Sequence, residues 1–103
     1  MAKEKKWNAP VHPGEILADE LEYISMTAAE MAQRIGVPKN RLYQIVSGKR
    51  AMTADTALRL GKFFGGSPEI WLDLQKSYEL DVAIQAIGNR LSKIKPYRPD
   101  AQT

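Results

Sequence analysis

The stretch from residue 28 to 47, AAEMAQRIGVPKNRLYQIVS, constrains this chain more than any other segment. Met31, Ala32 and Ile35 recur at helical spacing, Gly36 interrupts the pattern, and Leu42, Ile45 and Val46 resume it after Val37-Pro38. That spacing predicts two short helices joined by a tight turn. Two steeply crossed helices need a small side chain where they touch, which Ala32 supplies. The turn needs a residue tolerant of left-handed backbone, which Gly36 supplies. With the apolar residues committed to a core, Lys39, Asn40, Tyr43, Gln44 and Ser47 are left to face outward from the second helix.

Charge changes sign at the same place. Residues 13–30 hold Glu15, Asp19, Glu20, Glu22 and Glu30 with no Lys or Arg, whereas residues 31–54 hold Arg34, Lys39, Arg41, Lys49 and Arg50 with no Asp or Glu. The net charge of +3 is modest, but an acid-free basic segment is what contact with a polyanion requires.

Elsewhere the punctuation predicts an all-α chain. Pro13 suits the first turn of helix 1, which runs to about Ile24 with Ile16, Leu17, Leu21 and Ile24 on one stripe. Thr27 and Glu30 read as a capping box opening helix 2, which ends at Gly36. Pro38 is preset for the first turn of helix 3, which Gly48 closes. Thr53 caps helix 4 (54 to about 64), with Ala57, Leu58, Gly61 and Phe64 turned inward. Ser67-Pro68-Glu69 opens helix 5, whose apolar side continues through Ile70, Trp71, Leu74 and Tyr78. Beyond Asp81, the residues Val82, Ile84, Ile87, Leu91 and Ile94 either extend helix 5 or form a sixth helix interrupted near Gly88. Residues 1–10 read as a flexible arm, 11–94 as one domain and 95–103 as a disordered tail.

Several classes are disfavoured. The 103 residues include no Cys, so neither disulfides nor thiolate metal sites arise. No apolar run approaches the ~20 residues that cross a bilayer, and no apolar segment follows the basic N-terminus as in a secretory signal. A cytoplasmic chain is expected. With one His and no carboxylate pair beside a base, neither an enzyme nor a metal or cofactor site is expected; His12 reads as a turn residue.

A helix that presents such side chains can enter the major groove of duplex DNA. Lys39, Asn40, Tyr43 and Gln44 are of types that touch base edges: Lys suits guanine, and Asn or Gln suits adenine. Thr27, Gln33, Arg34, Arg41, Ser47, Lys49 and Arg50 are candidates for phosphate, whose contacts position without reading sequence. The acids of helix 1, Glu15, Asp19, Glu20 and Glu22, form a candidate docking patch for a basic protein. Val82, Ile84, Ile87 and Leu91 exceed what one small core needs and are candidates for a dimer interface.

On HPGEIL (12–17), MAQRIGV (31–37), SGKR (47–50), TALRLGKFFG (56–65) and SPEIWLDLQ (67–75), the chain resembles the HigA-type antitoxins, a branch of the Cro/C1-repressor-like helix-turn-helix family. The resemblance implies a five-helix fold with an extended C-terminal helix. It also implies a homodimeric repressor that binds a palindromic operator upstream of its own toxin–antitoxin operon. It further implies neutralisation of a HigB-type, RelE-like, mRNA-cleaving toxin, and a DNA-facing set of Lys39, Asn40, Tyr43 and Gln44 with Ser47, Lys49 and Arg50 nearby. A stand-alone regulator of the same family without a toxin would have the same residues 28–50, so this stretch does not separate the two.

Overall fold

The protein was analysed as a computed structural model, which describes residues 9–99. Five α-helices follow one another: α1 (Pro13–Tyr23), α2 (Ala28–Ile35), α3 (Lys39–Val46), α4 (Ala54–Phe64) and α5 (Pro68–Ile87), with a 3-10 segment, Gly88–Lys93, after them. Most of the predicted arm and the end of the predicted tail lie outside the described residues. No strand occurs among those described.

The N-terminus of α1 is closed by His12. Its ring nitrogen Nδ1 accepts the Gly14 N–H at 2.8 Å, and the Glu15 carboxylate accepts the His12 N–H at 3.3 Å. This is a reciprocal capping box with an imidazole where a hydroxyl is usual. His12 is buried, so the predicted turn residue is a structural cap. At α2, Thr27 Oγ1 accepts the Glu30 N–H at 3.1 Å, but the return bond expected for a box is not made there.

Gly36 ends α2 with φ of 75°, the left-handed conformation the turn requires. Pro38 stands one position earlier than predicted: with ψ of 139° it is the N-cap of α3 rather than part of its first turn. A proline there offers no side-chain acceptor, so the first amides of α3 are left without a cap.

Leu17, Met31, Leu42, Ile45 and Leu60 are fully buried and form the centre, joined by Leu21, Ala32, Ile35, Val37, Met52, Ala57 and Trp71. Val46 is only half-buried at its edge. Three predicted core positions are on the outside: Leu58 is 61% exposed, Ile70 57%, and Ile24, the C-cap that follows α1, 36%. On α4 the stripe is Thr56, Ala57, Leu60 and Gly61, which puts Leu58 across the helix from the core. On α5 the buried residues are Trp71 and Gln75, which turns Ile70 to solvent.

Helix α5 settles the choice left open by the sequence. It runs unbroken to Ile87 and breaks at Gly88. Its first half packs on the core, and from Glu79 onward it is exposed except at half-buried Ile87. Arg59 on α4 holds the turn end of α2: its Nη1 donates to the Ile35 carbonyl at 2.9 Å, and its Nε pairs with Asp55 at 3.1 Å.

The tightest packing is backbone against backbone. A Cβ on Gly14 would sit 1.8 Å from the Ile45 carbonyl oxygen, so α1 lies directly on the main chain of α3. Gly14→Ala is therefore expected to destabilise the fold by about 3 kcal/mol or more, because no flexible side chain can yield. Gly66→Ala, where an added Cβ meets nothing within 4 Å, should change stability little. Urea unfolding of the two variants measures the difference.

Candidate nucleic-acid interface

Helix α3 buries Leu42 and Ile45 and presents the opposite side to solvent. Lys39, Asn40, Tyr43 and Gln44 are exposed there, and Ser47 follows one turn on. Residues three and four apart share a helical face, so Asn40, Tyr43, Gln44 and Ser47 form one row. Tyr43 is 48% exposed and so is not packed against α2. Arg41, on the same helix, is half-buried.

The turn after α3 is folded back onto the helix end. The amides of Lys49 and Arg50 both donate to the Gln44 carbonyl, at 2.8 and 3.2 Å. Arg50 Nε donates to Gln44 Oε1 at 2.8 Å, and the Ser47 hydroxyl donates to the Gln44 carbonyl at 3.1 Å. Gln44, Ser47, Lys49 and Arg50 thus form one cluster. The Ser47 proton is already committed within it. Gly48, at φ of 80°, lets the turn pass beside the His12 ring, whose Cγ would lie 3.8 Å from an added Cβ.

Two contacts from α5 hold this turn in place. Gln75 on α5 accepts the Met52 N–H at 2.7 Å and passes its own amide protons to Glu79 at 2.8 Å. Tyr78 on α5 meets the His12 ring edge-on at 4.9 Å between centroids. Sequence periodicity flagged none of these; the only hint was a lone histidine placed before Pro13-Gly14.

The remaining candidates divide. Thr27 is exposed, and its oxygen is taken by the Glu30 amide while its proton is left to donate. Gln33 and Arg34 are exposed on α2, but Arg34 lines a groove of about 410 Å³ with Ile35, Leu58, Arg59, Lys62 and Phe63. The structure groups it with α4 rather than with the Gln44–Arg50 cluster. On α1, Asp19, Glu20 and Glu22 are exposed, whereas Glu15 is half-buried and serves the cap. Glu20 borders a second groove, of about 320 Å³, lined by Ile16, Phe64, Ile70, Trp71 and Leu74 among others. Val82, Ile84 and Leu91 are exposed and Ile87 half-buried, and Leu80 adds a fifth apolar residue that the sequence reading omitted.

A compact helical body that braces a short polar and cationic helix on its surface, with a basic turn behind it, defines a helix-turn-helix protein of the repressor type. A helix-turn-helix family model matches residues 24–71. The chain is 43% identical to Virulence-associated protein I of Dichelobacter nodosus, over 73% of this chain and 70% of that protein. A HigA-family addiction module antidote protein from Coxiella burnetii superimposes with a TM-score of 0.84 at 47% identity, covering 86% of this chain and 99% of that one. Pseudomonas aeruginosa antitoxin HigA, solved with the higBA promoter, superimposes with a TM-score of 0.82 at 37% identity, over 86% of this chain and 99% of the other. The chain belongs to the HigA family of Cro/C1-type helix-turn-helix antitoxins, a family of DNA-binding regulators and not of enzymes. None of its helices, among the described residues, is long and apolar enough to cross a membrane.

The His12 ring gives the scaffold a pH signature. Burial lowers its pKa below the ordinary value near 6.5, against the weaker opposite pulls of its bond to the Arg50 backbone and of the Glu15 carboxylate. Nδ1 accepts the Gly14 N–H, so the folded state needs that nitrogen unprotonated. A depressed folded pKa means stability is fully present above pH 6.5 and declines as pH falls from there toward the folded value. The melting temperature should therefore drop between pH 7 and pH 5. His12→Asn, which keeps a cap acceptor but does not titrate, should start lower and lose that slope. Thermal denaturation across this range is the measurement.

Proposed function

We propose that the protein is an operator-binding repressor and antitoxin that acts as a homodimer in the cytoplasm. The observation that carries the reading is the exposed row Lys39, Asn40, Tyr43 and Gln44 on α3, backed by the Lys49–Arg50 turn and free of acids from residue 31 to 54. The row enters the major groove, with Lys39, Asn40, Tyr43 and Gln44 at base edges. Lys49, Arg50, Thr27 and Arg41 meet the backbone, and Gln33 and Arg34 contribute from the flank of α2. The solved relative bound to a promoter supports this placement by its likeness in fold.

The dimer forms through the outer half of α5 and the 3-10 segment after it, where Leu80, Val82, Ile84, Ile87 and Leu91 have no core to join. A two-fold pair places the recognition helices about 34–36 Å apart and so binds a palindromic operator, the one upstream of its own toxin–antitoxin operon. Lys49→Ala is expected to lower affinity for all DNA sequences alike and to reduce the dependence of log K on log salt by about 1. Asn40→Ala should instead cost about 1–3 kcal/mol of discrimination at a single base pair. Binding titrations over a salt series on operator and scrambled duplexes separate the two. An Asn40→Ala variant weakened equally on every duplex would remove base reading at that residue.

The antitoxin partner is a HigB-type ribonuclease. An enzyme that binds mRNA carries a basic surface, and Asp19, Glu20 and Glu22 on α1 supply the complementary charge beside the apolar groove that Glu20 borders. Replacing Glu20 and Glu22 by Lys should weaken toxin capture and leave operator affinity nearly intact. Calorimetry with a purified HigB-type toxin tests it, and unchanged toxin affinity would exclude the patch.

A further inference from the structure

The bond between Arg50 and Gln44 decides which end of the Gln44 amide meets DNA. Arginine has donors only, so the group 2.8 Å from its Nε must be the carbonyl oxygen of Gln44. The amide is thereby oriented with its oxygen turned to Arg50 and its NH2 outward. Gln44 Nε2 and both Arg50 Nη groups have no partner among the described residues, and both side chains are exposed. The arrangement is not a chance meeting of two long side chains. The main-chain amide of Arg50 also bonds the Gln44 carbonyl at 3.2 Å, and the buried His12 ring lies against the same turn at Gly48. The turn delivers Arg50 to Gln44 from a buried support.

We infer that Gln44 and Arg50 act as one donor-only reading unit, whose specificity is for guanine rather than for the adenine that a free glutamine prefers. This rests on the DNA-binding reading above. A free glutamine suits adenine because it donates to N7 and accepts from the N6 amine. With its oxygen turned to Arg50, Gln44 cannot present that pair. What the unit has left to offer is N–H groups. Guanine alone shows two acceptors side by side in the major groove, N7 and O6; cytosine shows a donor, thymine a single acceptor, and adenine an acceptor beside a donor. Arg50 therefore sets the specificity of a neighbouring residue, in addition to lying near the backbone. Lys49, which has no such bond, only adds charge.

The test is selection of binding sites from a randomised duplex library, using the full chain and its Arg50→Ala, Gln44→Ala and Lys49→Ala variants. For the wild type, a guanine is expected in each half-site that the Gln44→Ala variant no longer selects. Replacing that guanine by 7-deazaguanine should weaken wild-type binding about tenfold. Arg50→Ala frees the amide and should shift the preference at that position toward adenine. Lys49→Ala should bind every site less tightly with the selected sequence unchanged. Adenine selected by the wild type at the Gln44-dependent position would overturn the inference. So would an Arg50→Ala variant that is merely weaker and keeps the same preference, or a Gln44→Ala variant that selects the wild-type sequence. A wild-type chain that enriches no sequence at all would defeat the operator-binding reading itself, and the inference with it. Circular dichroism of each variant confirms that the helical content is kept.

Discussion

Helix α3 has eight residues, too few to hold together alone, and its N-terminus has no side-chain cap. It exists because α1 lies on it. The approach is so close that the Gly14 position touches the Ile45 carbonyl, and nothing larger than a hydrogen fits between them. Leu42 and Ile45, both fully buried, hold the same helix from its inner side. The three residues that open α1 divide the work. His12 caps, Pro13 supplies a fixed φ where no N–H is needed, and Gly14 permits contact. A rigid recognition helix follows from this, since a helix seated on backbone has no side-chain layer through which to rock.

The same histidine connects the scaffold to the surface. Through its ring it joins the start of α1, the turn at Gly48–Arg50 and Tyr78 of α5. Gln75 adds a second tie from α5 to Met52. The loop bearing Lys49 and Arg50 is thus braced from behind, although its outward residues are exposed. Preorganisation of this kind reduces the ordering cost of binding, which for long cationic side chains is a large share of what association must overcome. Charge is arranged to match. The acids lie on the outer face of α1 and the cations on α3 and its turn, so one small body carries two faces of opposite sign.

What could be read from the sequence was what is local. Ala32, Gly36, Leu42 and Ile45 stood out because helical period and turn chemistry act over a few residues, and the caps at Thr27, Thr53 and Ser67 for the same reason. Gly14, His12, Gln75 and Arg59 did not, because each matters through a residue far along the chain: Ile45, Tyr78, Met52 and Ile35 respectively. Leu58 and Ile70 were misplaced for a related cause. Periodicity finds an apolar stripe but not its centre, and a stripe shifted by one residue on α4 or α5 exchanges Leu58 for Leu60 or Ile70 for Gln75. At the interface the residue types were legible, and their mutual bonds were not. Gln44 and Arg50 are six residues apart with a turn between them, so nothing in the letters indicates that one holds the other.

The outer half of α5 follows a different logic from the rest. On the body of the protein, exposed Leu58 and Ile70 each sit beside a groove of their own chain. Leu80, Ile84 and Ile87 instead recur at intervals of four and three along a helix that no other element covers, and that spacing makes a single straight stripe. A stripe on one helix matches itself when turned through a two-fold axis, which is the geometry of an isologous contact. In the proposed dimer, the crossing of two such helices would fix the distance between the two copies of α3. The break at Gly88 then has a consequence: it limits the length of the stripe to the part before it, and Leu91 reaches the partner only from the 3-10 segment that follows. Half-site spacing in the operator would thus be set by residues that touch no DNA.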